Sequence, residues 1–129
     1  MPVYDDSLFD PPAPLARVTL RNPTNADIVP DVPMLLDSGA DVTLIPATSI
    51  NQLGLTANTD EIYELMGFDG STSIASVIRL EMLFMNKTFR GRFLIIDQEW
   101  GVVGRDILNL VALLLDGPNL TWREQRRSR

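Results

Sequence analysis

Read for alternation alone, the chain is a series of short apolar runs broken by glycine, proline and asparagine, with little helical period. Residues 16–21 alternate and predict a first strand. Asn22-Pro23-Thr24-Asn25 predicts a turn, and 27–31 a short returning strand interrupted by Pro30. Two further apolar runs, Met34-Leu35-Leu36 and Val42-Thr43-Leu44-Ile45, enclose the polar piece Asp37-Ser38-Gly39-Ala40-Asp41, which reads as a tight turn at a buried strand end. Pro46 can open a short helix over 47–53, with Ile50 and Leu53 on one stripe, Gly54 as its stop and Leu55 packing back.

The middle of the chain predicts a hairpin. A strand at 61–66 leads through the glycine-flanked turn Gly67-Phe68-Asp69-Gly70 into a long strand over 71–85, where Ile74, Ile78, Leu80, Met82 and Phe84 share one parity. Its polar Ser71-Thr72-Ser73 stem suggests a projecting flap, because little there would anchor it. Asn86-Lys87 predicts the next reversal, with Phe89, Phe93 and Ile95 on one side of the returning strand. Residues 97–100 form a polar loop ending in Trp100. Val102-Val103-Gly104-Arg105-Asp106 repeats the order apolar strand, glycine, polar turn, and 107–110 has the density of a short helix. Residues 112–116 and 120–122 flank Asp116-Gly117-Pro118-Asn119 and predict a terminal hairpin. Seven to nine short strands and two short helices point to a small, mainly β barrel or sandwich. Crossover helices for a doubly wound sheet have no room.

Composition narrows the chemistry. A chain of 129 residues, 45% apolar and 22% charged, is expected to form one folded domain. It is divided here into an extended proline-rich arm (1–15), a domain (16–122) and a basic tail (123–129) carrying Arg123, Arg126, Arg127 and Arg129. The net charge of −6 repels nucleic acid overall. No run approaches a membrane span of roughly 18 apolar residues, and the start lacks a basic segment followed by an apolar one, so a soluble, cytoplasmic chain is expected. There is no cysteine and no histidine, which excludes thiolate catalysis, a serine–histidine relay and the usual zinc sites. Any catalysis must rest on carboxylates, lysine, hydroxyls or backbone groups.

Asp37 is the best placed of them. A glycine turn lets backbone amides converge on its carboxylate. One fixed carboxylate does little to a peptide bond. Two that share a proton do more: the ionised one takes a proton from water while the other donates to the carbonyl oxygen, and their like charges push the two pKa values apart. The second carboxyl could come from Asp41, from Asp69 in the hairpin turn, from Asp106, or from Asp37 of another copy across a two-fold axis.

These residues carry a resemblance. Asp37-Ser38-Gly39-Ala40-Asp41, between Leu35-Leu36 and Val42-Thr43-Leu44-Ile45, resembles the active-site turn of the retropepsin-like aspartic proteases. Val102-Val103-Gly104-Arg105-Asp106-Ile107-Leu108 resembles that family's second signature, and the interval between them holds a hairpin. The Asp-Ser-Gly unit alone is a weak signal; both signatures in order are a stronger one. The resemblance spans residues 16–122 and implies a mainly β fold, a small closed barrel with one or two short helices and a flap hairpin. It implies Asp37 as the catalytic aspartate, paired with Asp37 of a second subunit, with Ser38 holding the two turns together and Gly39 meeting substrate at its backbone. Ala40, Asp41, Met66, Gly67, Phe68 and Gly70 would line the substrate. Gly104, Arg105 and Thr43 would support the turn, Arg105 by pairing with Asp41.

The Gly67–Gly70 tip is bulkier than the glycine-rich viral tip and carries a charge, and the proline-rich arm and basic tail also depart from the viral type. Both departures look more like cellular or bacterial members. The implied activity is an endopeptidase acting as a homodimer on peptide or protein substrate, with no metal and no cofactor. The alternative is a dimer of the same fold that binds peptides without cutting them.

Overall fold

A computed structural model describes residues 2–56, 58–66 and 70–125, and for residues 58–66, 73 and 74 it describes the backbone. The strands are β1 (Tyr4–Asp5), β2 (Ala13–Arg21), β3 (Ile28–Leu36), β4 (Leu44–Pro46), β5 (Asn58–Met66), β6 (Thr72–Phe84), β7 (Lys87–Ile96), β8 (Gly101–Val103), β9 (Leu113–Asp116) and β10 (Thr121–Glu124). The helices are α1 (Ala47–Gln52) and α2 (Arg105–Leu108).

Strands β2 and β3 form the first hairpin, and β3 is longer than the proline pattern predicts. It runs unbroken through Pro30 because the chain bulges there. Val18 pairs with Val32 and Leu20 with Val29, so β3 carries one extra residue, and Asp31 takes a positive φ of 57° at that point. A bulge is where a strand proline is tolerated. Beyond it, Thr19–Arg21 on β2 also pair with Leu83–Glu81 on β6. Strand β6 in turn pairs with β5 over Thr72–Val77 and with β7 over Val77–Phe84. The β6–β7 turn is Met85-Asn86, both at positive φ, one residue earlier than the Asn86-Lys87 reversal read from sequence.

The small closed barrel expected from sequence is not what forms. The main sheet has eight strands in the order β1-β2-β3-β8-β4-β7-β6-β5, with β1 and β5 at its ends. The one additional pairing is the short β2–β6 ladder of three residue pairs. The architecture is therefore an open, strongly folded sheet with two short helices. Strands β9 and β10 make a separate two-stranded sheet. Among the described residues no helix is long and apolar enough to cross a membrane.

Helix α1 ends as its sequence predicts. Gly54, at φ 69°, follows Leu53, the Gly54 amide donates to Asn51 O at 3.1 Å and the Leu55 amide to Ile50 O at 3.2 Å. Only a residue free to enter left-handed backbone closes a helix in this way without strain. Leu55 then packs against the core. That core is built from the inward parity of β2, β3 and β6: Val18, Leu20, Met34, Leu80 and Met82 are almost completely buried, together with Ile45 and Val103. Trp122 of β10 joins it and donates its indole N–H to Leu15 O at 3.1 Å, which pins the terminal ribbon to the body.

Strand β8 positions the site. It runs parallel to β3, with Met34, Leu35 and Leu36 opposite Gly101, Val102 and Val103, and meets β4 on its other side at Leu44–Val102. Two parallel strands in register end at the same edge, so the residues after Leu36 and Val103 emerge side by side. Gly101 is required for this packing: a Cβ there would lie 2.4 Å from Leu44 O and 2.5 Å from Met34 Sδ.

Candidate active site

Asp37 follows β3 directly and is half-buried; its own amide donates to Val103 O at 3.1 Å, which extends the β3–β8 ladder by one rung. The turn then closes on itself. Ala40 N–H donates to Asp37 O at 3.1 Å, and Gly39 N–H donates to Asp37 Oδ1 at 2.9 Å. Among the described residues that amide is the one donor to the Asp37 carboxyl, so one oxygen is oriented and the other is left to solvent or a ligand. Ser38 and Gly39 are exposed at the tip of the turn. A Cβ on Gly39 would sit 3.1 Å from Asp37 Oδ1, so even alanine presses on the carboxylate.

The second turn locks onto the first. Gly104 is buried, and a Cβ there would lie 2.4 Å from Val42 O and 2.5 Å from Val42 C, backbone that cannot yield. This close approach lets Arg105 N–H donate to Ala40 O at 2.9 Å and Asp106 N–H to Asp41 O at 3.3 Å. The Arg105 guanidinium donates through Nη1 to Ser38 O at 2.8 Å and through Nη2 to Asp41 Oδ1. One planar fork thus grips the turn at a carbonyl and a carboxylate.

Thr43 and Asp106 complete the junction. Asp106 Oδ1 accepts the Thr43 hydroxyl at 2.7 Å and the Ile107 amide at 2.9 Å, and Oδ2 accepts the Thr43 amide at 3.1 Å. Thr43 Oγ1 in turn accepts the Gly104 amide at 3.1 Å. Sequence reading weighed Asp106 as a second catalytic acid and missed this structural use. The signal was the acid two residues into a helix that follows glycine, where its carboxylate reaches free amides.

The structure thus brings Asp37, Ser38, Gly39, Ala40, Asp41, Thr43, Gly104 and Arg105 into one connected junction. Met66 closes β5 opposite Thr72, and Gly70 is exposed at φ 84°. Gly67, Phe68 and Asp69, the expected tip contacts, lie outside the described residues. At the base of the hairpin, Ala75 and Val77 pack with Leu94, Val42 and Leu44 into a small second apolar cluster just past the Asp37 turn. On the other side of the turn, a groove of about 190 Å³ is lined by Leu36, Ser38, Leu108, Val111, Leu113 and Leu115. A larger pocket of about 370 Å³, between residues 2–5, β2 and Trp122, does not include the junction. Among the described residues no three Asp, Glu, His or Cys side chains converge as metal ligands.

No protein-family model matches the chain, and no curated protein matches it. Among solved structures it is similar to the EIAV protease complexed with the inhibitor HBY-793, at 23% identity and a TM-score of 0.56, over 75% of this chain and 86% of that one. The chain therefore has a retropepsin-like fold. The likeness is one of fold.

Proposed function

We propose that this chain is an aspartic endopeptidase whose reacting water is held between the Asp37 carboxyls of two copies. The observation that carries this reading is that, among the described residues, the acids beside the Asp37 turn already have partners. Asp41 is held by Arg105, and Asp106 by Thr43 and two amides, so neither neighbour is free to share a proton with it. With Asp41 and Asp106 engaged, this reading takes the second carboxyl from Asp37 of another chain. The exposed tip at Ser38-Gly39 and the rigid junction behind it suit a turn that meets its own symmetry mate. The retropepsin-like fold and its similarity to a protease support the same reading.

The chemistry follows from two carboxyls sharing one proton. The ionised Asp37 takes a proton from water as the water oxygen attacks the peptide carbonyl. The protonated Asp37 gives its proton to the carbonyl oxygen, forming a neutral diol. The C–N bond then breaks as a carboxyl proton passes to the departing amine and a diol hydroxyl returns its own. Substrate would lie extended between the β5–β6 hairpin and the backbone of Gly39, Ala40 and Asp41, bonded through its main chain. Met66 to Gly70 would cover it from the hairpin side, and Gly104, Arg105 and Thr43 would hold the floor.

The test is a diverse peptide mixture incubated with wild type and Asp37→Asn between about pH 3 and 8, with molecular mass measured in parallel. Cleavage by a species of twice the chain mass, absent in Asp37→Asn, is the expected result. Peptide binding without cleavage would favour a silent scaffold instead.

A further inference from the structure

We propose that the pocket between the N-terminal arm and β2 is a second binding site, one that takes a small apolar zwitterion: a free amino acid with an aromatic side chain. The pocket exists because β2 lacks a neighbour along part of one edge. Strand β1 pairs with β2 at Ala13 and Pro14, and β6 takes over only at Thr19. Among the described residues no strand fills the interval, and a space of about 370 Å³ is left there. That size falls within the range of small-molecule sites, roughly 300–1,000 Å³. The pocket shares no residue with the Asp37 junction.

Walls, charges and main chain together specify the ligand. Phe84 and Trp122 are buried, with ring centroids 6.1 Å apart, and with Leu15 and Met85 they make a wall suited to a ring. Two opposite charges stand at this wall. Asp5 lies opposite Ala13, and Ala13, Leu15 and Arg17 share one face of β2, so both charges are on the same side of the slot. They do not touch: among the described residues the Arg17 side chain makes no hydrogen bond or ion pair. Asp5 accepts the Leu8 amide at 2.7 Å and the Ser7 hydroxyl at 3.0 Å, which fixes its carboxylate and still leaves acceptor positions over. A simple anion would gain Arg17 but face Asp5, and a simple cation would meet the reverse. A ligand that carries both an ammonium and a carboxylate satisfies both. The main chain adds a donor. Leu15 O faces the slot, where it accepts the Trp122 indole, and strand alternation turns the Arg17 N–H the same way. Pro33, opposite Arg17 on β3, has no N–H to offer on the other side. The ligand carboxylate would then take Arg17, its ammonium Asp5, and its ring the wall of Phe84 and Trp122.

Calorimetry with three probes tests the site at about pH 6, where each amine is protonated. The probes are phenylalanine, phenylalanine amide, which lacks the carboxylate, and 3-phenylpropionate, which lacks the ammonium. Phenylalanine is expected to bind once per chain with a Kd of about 1 mM or tighter. Each of the other two should bind at least about tenfold more weakly. Arg17 is exposed and has no partner to lose, so Arg17→Gln should fold as wild type does and bind phenylalanine no better than the amide. Trp122 fluorescence follows occupancy in a Trp100→Phe background, which keeps an aromatic ring against Phe9. Equal affinity for the three probes, unchanged phenylalanine binding by Arg17→Gln, or no binding up to about 10 mM would each overturn the proposal.

Discussion

Thr43 Oγ1 donates to Asp106 Oδ1 at 2.7 Å while accepting the Gly104 amide at 3.1 Å, so one hydroxyl joins the strand after the Asp37 turn to the helix after Gly104. Thr43 is completely buried; without its hydroxyl the Gly104 amide loses its partner and Asp106 Oδ1 keeps only the Ile107 amide. Thr43→Val keeps the shape and removes the oxygen, so its cost is that of unpaired polar groups, about 1–3 kcal/mol. Thr43→Ser keeps the hydroxyl and loses one methyl, costing about 1 kcal/mol. Denaturant unfolding of the two variants checks the order.

Gly104→Ala tests the close approach directly. Its Cβ would meet the Val42 backbone at 2.4 Å, and neither chain can move without breaking the bonds from Arg105 and Asp106. A loss of about 3 kcal/mol or more is expected. Gly117→Ala is the control. Nothing lies within 4 Å of its Cβ position, and its stability should change by less than about 0.5 kcal/mol.

How much of this was legible beforehand depended on the range of the determining contact. The Asp37 turn and helix α1 were readable because their causes are local: a glycine beside the acid, and Gly54 at a helix end. The closed barrel was misread because strand order turns on long-range events. The β3 bulge at Pro30-Asp31 needs two strands to define it, and the β2–β6 ladder stops after three pairs. Trp122 and the leucines of β9 looked alike as apolar material, yet the indole is buried while Leu114 and Leu115 are exposed. Which side of the ribbon faces the core is a matter of long-range packing, here of Trp122 against the body and its bond to Leu15 O.

Arg105→Lys separates grip from charge. Asp41 is 82% exposed in its side chain, so the ion pair itself contributes little to stability, about 0–1 kcal/mol. Lysine keeps the charge but cannot reach Ser38 O and Asp41 together. The expected outcome is a nearly unchanged unfolding midpoint with kcat/KM lowered about tenfold, because the turn is less firmly held.

Stability at acid pH should depend on Glu81. The Arg21 guanidinium donates to its carboxylate at 2.6 Å, and Arg90 adds a second contact at 2.6 Å, which together hold its pKa below the ordinary glutamate value near 4.5. A lowered folded pKa means the unfolded chain binds a proton more readily, so this contribution is full above pH 4.5 and is lost as pH falls through the lowered value. Glu81→Gln should therefore be less stable than wild type at neutral pH, with the difference shrinking in acid. Thermal unfolding across that range checks it.

Gly39→Ala asks whether the carboxylate's placement matters apart from folding. Gly39 is exposed and its φ is not in the left-handed region, so the added methyl strains no backbone. Its one close contact is Asp37 Oδ1 at 3.1 Å, and the carboxyl must shift by a few tenths of an ångström to relieve it. Two carboxyls that share a proton are sensitive to their separation, whereas the core does not register a change at the tip of a turn. Unfolding should therefore stay within about 0.5 kcal/mol of wild type. Turnover should fall about tenfold or more. A stable variant with full turnover would mean that the Gly39 amide does not set the position of the reacting oxygen.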